Sequence, residues 1–505
     1  MKRFLPSLFL LWTLGTLSVL GANRPNILLF LVDDLGVMDT SVPFLTNAKN
    51  EPVRHPLNSW FRTPNLERLA SRGTRFSDFY AHTVCSPTRV SLMTGQNSAR
   101  HRVTNFIGPD AKNTGKDGAR EWRWEGLKKG DLTLPHLLKQ AGYQTIHVGK
   151  AHFGPVGYEG ENPTNLGFDV NIAGCAYGQP GSYYGEDGYG NLNPKRQKRA
   201  VPGLAHYHKT DTFLSEALTL EAKKAIDQSL LDEKPFFLYL SHYAVHSPFN
   251  PDKRFIHHYR QAGKSQSASA FAALVEGIDK SLGDMLHHLN ARGIAEDTVV
   301  FFLGDNGSAS PLGNNNNIGS SAPLRGKKGT KWEGGIRVPF VASWAKNDHT
   351  HQWQQRFPIQ VKAHQKAIGR CYDLFPTLLK LAQVQPPSSH AIDGFELWPL
   401  LAGHEDPHPR QQFLSHFPHP RSDNHFTTFR EGDWKLIYHY RPETNQRTSP
   451  FELYNLAADP SESEDLSQVH PHRLRQLMKA MSAQLKSMNA LYSYKEGTML
   501  QPVVP

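Results

Sequence analysis

Cysteine is scarce, with Cys85, Cys175 and Cys371 the only three in 505 residues. That is too few for a disulfide framework, so stability must come from packing even in an oxidising compartment. Long apolar runs are also few. Apart from residues 4–20, no stretch is long enough to cross a bilayer. Internal repeats and long biased tracts are missing, which excludes solenoids and low-complexity chains. No helix-turn-helix, zinc-finger or RNA-binding pattern occurs, so nucleic acid is not an expected partner.

What is present fits a globular chain, 38% hydrophobic, with enough apolar material for one large core and a satellite domain. Lys2 and Arg3 precede the uncharged run 4–20, and small residues Gly21 and Ala22 follow, which reads as a signal peptide over 1–22 with a mature start near Asn23. No cysteine lies beside the cleavage point, so neither a lipid anchor nor another stable membrane anchor is expected. The destination is periplasmic or extracellular. Cleavage lowers the formal charge from +10 to +8, and a basic exported protein suits an anionic polysaccharide or a small sulfate or phosphate ester.

Short β-branched and apolar runs alternate with helix-like stretches, the pattern of an α/β domain with a mainly parallel sheet. Strands are expected at 26–32, 145–148, 236–240, 299–303 and 338–343, and helices at 65–72, 132–141, 213–231 and 268–292. In the last of these Phe271, Leu274, Ile278, Leu282 and Met285 recur at helical spacing and mark a core face. A Pro/His-rich linker near 400–409 separates a catalytic domain over 23–404 from a smaller subdomain over 405–505. That subdomain reads as an antiparallel sheet, with strands at 426–430, 434–440 and 451–454, covered by a helix at 471–488. Loop 174–199, rich in Gly and Tyr and ending in basic residues 195–199, is either solvated surface or a substrate-contacting loop.

Polar side chains follow the expected strands directly: Asp33 and Asp34, then Lys150 and His152, then His242 and His246, then Asp305 and Asn306. In open α/β sheets ligands bind outside the carboxyl ends of the strands, so these groups are expected to converge on one crevice. Two Asp-rich pairs without thiols or a histidine cluster offer hard oxygen donors, which favours Ca2+ or Mg2+ over zinc; calcium is the choice. A lone Cys85 would ordinarily be a small buried hydrophobe. Here Pro87 suits the first turn of a helix whose N–H groups and dipole face an anion held at residue 85, and Arg89 adds a fixed charge with a planar fork of donors.

Cys85-Ser86-Pro87-Thr88-Arg89, with Thr94-Gly95 downstream, resembles the motif of the type I formylglycine-dependent sulfatases of the alkaline phosphatase superfamily. Chance occurrence in a chain of this length is roughly 10⁻⁴ on average residue usage. The resemblance implies an alkaline-phosphatase-like fold and sulfuric ester hydrolysis. It also implies conversion of Cys85 to formylglycine (3-oxoalanine) by a formylglycine-generating maturation enzyme. The hydrate would carry one hydroxyl to attack sulfur and a second whose deprotonation expels sulfate, with the fork of Arg89 suited to sulfate oxygens or to the hydrated aldehyde.

It further implies one Ca2+ held by Asp33, Asp34, Asp305 and Asn306 and by the oxygen of residue 85. The segment 149–154 is similar to the family's Gly-Lys-Trp-His-Leu-Gly, with Ala151 in place of tryptophan; this gives Lys150 to the sulfate and His152 to the second hydroxyl. Segment 242–248 gives His246 as general acid, with His242 a supporting or substrate-side residue. Segment 324–339 gives Lys328 to the sulfate and leaving oxygen, Lys327 being the alternative.

Residues 85–89 and 99–105 look like those of bacterial glycan sulfatases. This implies a sulfated glycan or small sulfate ester as substrate, with a galactose or N-acetylgalactosamine sulfate terminus. His101, Asn105, His416, His419 and Arg421 are then candidates for sugar contacts, and the long connection 40–61 for the pocket rim. The competing readings are a phosphomonoester or phosphodiester hydrolase of the same superfamily and a non-catalytic glycan-binding protein.

Overall fold

The computed structural model describes residues 24–505 except 48, 111–117, 261–262, 313–319, 409–410, 421–424 and 446. The expected signal peptide lies outside the described residues, as does Arg421. No helix among the described residues is long and apolar enough to cross a membrane.

Eight strands form the main sheet: β1 (Asn26–Val32), β2 (Thr74–Phe76), β3 (Gln144–Gly149), β4 (Val170–Ile172), β5 (Phe236–His242), β6 (Thr298–Gly304), β7 (Phe340–Trp344) and β8 (Ala363–Gln365). Their spatial order is β4-β3-β5-β1-β6-β7-β2-β8. Only β7 runs antiparallel to its neighbours, β6 and β2. This is the α/β layer architecture expected from the alternation of runs. The short strands β2, β4 and β8, three residues each, have too little periodicity to stand out in sequence.

β1 sits at the centre, and every one of its residues is buried. Successive side chains alternate across the sheet: Leu28, Phe30 and Val32 join one core, while Ile27, Leu29 and Leu31 join the other. The first core is covered by helices α3 (Leu214–Leu231) and α4 (Gln266–Ala291), the second by α1 (Cys85–Thr94) and α2 (Leu134–Gln140). The connection 40–61, expected at the pocket rim, instead buries Val42, Phe44, Leu57 and Phe61 in the first core, where Phe61 meets Phe271 of α4 edge-on at 6.2 Å. Its apolar side chains gain more from burial there than from a wet rim.

A second sheet is antiparallel, in the order β9 (Gln412–Phe417), β10 (Phe426–Glu431), β11 (Trp434–His439) and β12 (Phe451–Asn455). Helix α5 (Pro471–Ser487) lays Leu474, Leu477, Met478, Met481 and Leu485 on Leu414, Phe429, Leu436 and Leu453. A buried ionic cluster stitches this sheet to the main body. Glu333 accepts from Tyr80 (2.7 Å), Arg337 (2.8 Å) and Lys435 (3.0 Å). Lys435 also pairs with Glu462 (2.6 Å), and Arg430 bridges to Asp78 (2.5 Å). Burial pushes the Glu462 carboxyl up to about 7, with Lys435 drawing it down and Glu333 raising it again.

Removing the ammonium at the centre of this cluster would leave Glu462 buried without its counter-charge and Glu333 with Arg337 alone. Lys435→Met is therefore expected to cost about 3–5 kcal/mol of stability, read from the urea midpoint. A change below about 1 kcal/mol, the level of an exposed pair, would remove the cluster's role in joining the sheets.

Candidate active site

The expected polar groups gather at the carboxyl ends of β1, β3, β5 and β6. Helix α1 begins at Cys85 itself, two residues before Pro87, and all of its residues are buried. Cys85 thus stands in the first turn, where backbone N–H groups lack intrahelical partners. At the other end Gly95 takes φ 68° and returns its N–H to the Ser91 carbonyl at 2.9 Å, closing the helix.

Arg89 reaches from α1 into the strand ends and is fully buried. It donates to Asp305 Oδ2 (2.9 Å from Nε), to the Lys150 carbonyl (2.8 Å) and to Ser241 Oγ (2.6 Å). Burial opposes its charge, but Asp305, Tyr239 and Asp33 outweigh that and hold its pKa above the usual value. Asp305, the Lys150 carbonyl and the Ser241 hydroxyl take the Nε and Nη1 donors of the fork expected to meet sulfate or a hydrated aldehyde, while Nη2, 2.8 Å from Asp305 Oδ2, is buried without a hydrogen-bond partner. Arg89 positions Asp305 and does not line the pocket.

The carboxylates are tightly interlocked. Asp33 Oδ2 holds the Lys150 ammonium at 2.6 Å. Asp34 Oδ1 accepts from Lys328 (2.6 Å) and from Asn306 Nδ2 (2.9 Å), and Asp305 Oδ1 accepts the Asp34 N–H at 3.0 Å. Asp34 adopts φ 62°, a left-handed conformation costly for a residue with a side chain. Burial pushes the Asp33 carboxyl well above the usual range; Lys150 lowers it, and Asp305 and Asp34 raise it again. Asp34 is equally desolvated, yet Lys328, His246 and Lys150 hold it below the usual range. Behind it, burial raises Asp39 to about 7 against hydrogen bonds from Ser308 and Gly36. The Ser308 carbonyl in turn takes the Lys328 N–H at 2.9 Å.

Asp33 Oδ1 and Asn306 Oδ1 are buried with no hydrogen-bond partner. Ligand atoms of Asp33, Cys85 and Asp305 lie within 4.8 Å of one another. Orphaned hard oxygens in a carboxylate cluster fit an oxygen-seeking divalent cation, and a buried acceptor left unmatched otherwise costs about 1–3 kcal/mol.

Two histidines reach the pocket. His152, at φ 59°, places Nε2 against the Ile107 carbonyl. A carbonyl only accepts, so Nε2 carries the hydrogen and Nδ1 is a bare acceptor, itself buried without a partner. Burial, then Lys150, pushes His152 well below its ordinary pKa and keeps the ring neutral. The small Ala151 is buried, and the Cys175 carbonyl, 3.2 Å from the His152 N–H, helps fix the backbone. Gly149, at φ 100°, lets the chain leave β3 against the Ser241 carbonyl, where a Cβ would come within 2.0 Å. His246 donates through Nδ1 to the Ser247 carbonyl at 2.9 Å, and its Nε2 lies 3.6 Å from Asp34. Burial, then Lys328, lowers His246 to about 3.

A pocket of about 430 Å³ opens over these groups, lined by Asp34, Cys85, His152, His246 and Lys328. Of the two adjacent lysines, Lys328 lies in it. Lys150 is buried beneath, on Asp33.

The expected sugar contacts fare differently. His242 packs at 5.0 Å from the Phe30 ring with Nε2 3.0 Å from Ser281 Oγ. His101 is buried against Ser91 Oγ (3.0 Å) and takes the Val103 N–H (3.1 Å). His416 is held by Thr427 Oγ1 and the Leu491 carbonyl, and His419 by Thr104 Oγ1 (2.8 Å) beside Trp122. All four are core histidines with local partners, so the assignment to sugar is corrected: none lines the pocket. Asn105 caps the neighbouring Phe106 N–H at 2.8 Å, and it is Phe106 that faces the pocket, along with Tyr177, Gln179, Arg199 and Phe249. Only the Gly/Tyr-rich and basic character of loop 174–199 hinted at three of these.

Comparison with known proteins gives the same direction. A family model described as Sulfatase matches residues 25–384, and one described as N-sulphoglucosamine sulphohydrolase, C-terminal, matches 328–490. N-acetylgalactosamine-6-sulfatase of Mus musculus is 32% identical over 412 residues, covering 78% of this chain and 69% of its own. A sulfatase of Formosa agariphila is 28% identical over 504 residues, covering 89% and 85%. Among solved structures, Ps i-CgsB in complex with k-i-k-neocarrahexaose superposes with TM-score 0.72 at 24% identity, covering 94% of this chain and 95% of that one. The structural likeness gives the fold alone, which is the expected alkaline-phosphatase-like one.

Calcium that binds only the folded state should raise the unfolding free energy, by about 2.7 kcal/mol at about 100 times Kd. The check is a melting curve in calcium, zinc or chelator. A midpoint indifferent to calcium, or raised more by zinc, would contradict the oxygen-donor reading of the cluster.

Proposed function

The chain belongs to the sulfatase family and hydrolyses sulfate esters, and on that premise we propose that it works through Cys85 matured to formylglycine beside one Ca2+, on sulfated saccharides outside the cytoplasm. The observation that carries this reading is the convergence of Cys85, His152, His246 and Lys328 on one pocket directly above the orphaned oxygens of Asp33 and Asn306. Asp33, Asp34, Asp305 and Asn306 would hold the cation, whose chemistry is to polarise oxygen and neutralise sulfate charge. Formylglycine, once hydrated, supplies a nucleophilic hydroxyl and a second hydroxyl that lets the residue reset.

Each side chain of the site has a role consistent with its contacts. The bare Nδ1 of neutral His152 accepts a proton, while the Ile107 carbonyl keeps the ring from turning. His246, anchored through Nδ1 to Ser247, presents Nε2 3.6 Å from Asp34; Nε2 must first take up a proton, which Asp34 and an incoming sulfate favour against burial and Lys328, before it can pass that proton to the leaving oxygen. Lys328 is held charged because Asp34, and behind it Asp33, oppose the effect of its burial, so its ammonium would meet the sulfate and the departing oxygen. Lys150 contributes its charge from below, through Asp33. Because Cys85–Thr94 are all buried, a maturation enzyme would have to act on the chain before it folds.

The pocket volume falls in the range of small-ligand sites and suits a single sugar residue with its sulfate. Similarity to N-acetylgalactosamine-6-sulfatase, the basic composition and the N-terminal signal pattern support an exported enzyme acting on a sulfated galactose or N-acetylgalactosamine residue.

The decisive comparison is kcat/KM on matched aryl sulfate and aryl phosphate, made alongside peptide mass analysis across residue 85. Sulfate is expected to be preferred, and Cys85→Ala to abolish turnover while the protein stays folded. A phosphate preference, or an active Cys85→Ala variant, overturns the assignment. His246→Ala should slow esters with poor leaving groups by about 10²–10⁴-fold and activated aryl sulfates much less. Equal losses on both would remove His246 as the acid.

A further inference from the structure

Among the described residues lining the pocket, Lys328 and the neutral His152 already have partners. Lys328 sits on Asp34 at 2.6 Å, and His152 is tied to the Ile107 carbonyl. Arg199 differs. It lines the same pocket, is exposed, and its guanidinium has no hydrogen-bond or ion-pair partner among the described residues, although five donors are available there.

The backbone that carries it is nevertheless fixed. The Arg199 carbonyl accepts the Gly181 N–H at 2.6 Å, its own N–H reaches the Arg196 carbonyl at 2.9 Å, and Asn191 Nδ2 holds the Val201 carbonyl at 2.9 Å. Arg196, by contrast, is turned to Asp187 at 3.7 Å. Gly178 of the same loop lies against the His152 ring so closely that a Cβ there would come within 2.5 Å of Cε1. The loop is thus seated on the catalytic histidine while it holds a free planar cation at the wall of a pocket that Tyr177 and Phe106 also line.

We propose that Arg199 is a specificity residue that selects saccharides carrying a second oxyanion close to the scissile sulfate. This rests on the sulfatase reading of the site and narrows its substrate class to polyanionic saccharides. A guanidinium fork pairs with either sulfate or carboxylate in bidentate fashion, so the second anion is another sulfate or a uronate carboxylate. Tyr177 and Phe106, which line the same pocket, would pack the apolar face of the sugar that joins the two groups.

The test measures kcat/KM on three saccharides alike except in charge: monosulfated and otherwise neutral, disulfated, and monosulfated with an adjacent uronate. Wild-type enzyme should prefer one or both doubly anionic forms, and which of them it prefers identifies the second anion. Arg199→Gln should collapse that preference ratio by about 10- to 100-fold, as expected for loss of a charge-assisted hydrogen bond, through KM more than kcat. Arg199→Lys should restore part of it. Lys198→Gln serves as a control for the general basic rim, since Lys198 does not line the pocket.

A ratio unchanged in Arg199→Gln overturns the proposal, as does an equal collapse in Lys198→Gln or a wild-type enzyme indifferent to the second anion. In each of these cases the enzyme still hydrolyses sulfate. No sulfate release from any of the three by matured wild-type protein would instead count against the function itself, and the proposal would fall with it.

Discussion

The contact on which the site depends is the buried pairing of Arg89 with Asp305, at 2.8 Å from Nη2 to Oδ2. It ties the helix that starts at Cys85 to the carboxyl end of β6. Through the Lys150 carbonyl and Ser241 Oγ the same guanidinium reaches β3 and β5. Around it Asp33, Asp34 and Asp305 face Arg89, Lys150 and Lys328, three charges of each sign, largely buried and open to the pocket only at Asp34 and Lys328. Such a cluster is costly to desolvate and holds together only where each charge keeps its partner. Its formal charges cancel, so a divalent cation and the sulfate anion it attracts can enter as a second pair without leaving a large net charge buried.

Rigidity around this pairing comes from groups that touch no substrate. Asp39 joins the loop after β1 to the loop after β6 through Gly36 and Ser308, and Ser308 passes that constraint to the Lys328 backbone. Asp34 and His152 both occupy left-handed backbone conformations, a strain the surrounding hydrogen bonds must hold in place. The second sheet contributes at a distance: its Lys435 and Arg430 complete a buried ionic cluster on Glu333 and Asp78, beside the segment that carries Lys328. The two sheets therefore stabilise one another through desolvated charge as well as apolar contact.

Family membership and the fold do not by themselves choose a substrate. The chain shares its architecture with proteins whose sequences differ at three positions in four, and what separates them is the pocket wall. Here that wall comes from loops whose side chains are exposed and chemically unremarkable until they are seen beside the catalytic groups. Arg199 belongs to this class.

The sequence by itself determined the sheet's long strands and the residues at their carboxyl ends. Buried parallel strands demand continuous apolar runs, and a formylglycine-type motif, two Asp-rich pairs and two Lys/His segments follow them in order. Only the tertiary structure decided which of those groups face substrate. His101, His242, His416 and His419 turned out to be core residues, each buried against a hydroxyl or carbonyl partner, although His242 keeps Nδ1 without one. Arg89 proved to brace Asp305 while its Nη2 keeps no hydrogen-bond partner, and Val42, Phe44, Leu57 and Phe61 of the connection 40–61 joined the core. The direction in which a polar side chain points is set by contacts between segments hundreds of residues apart, such as Arg89 with Asp305 or Asp34 with Lys328, and no local pattern encodes them.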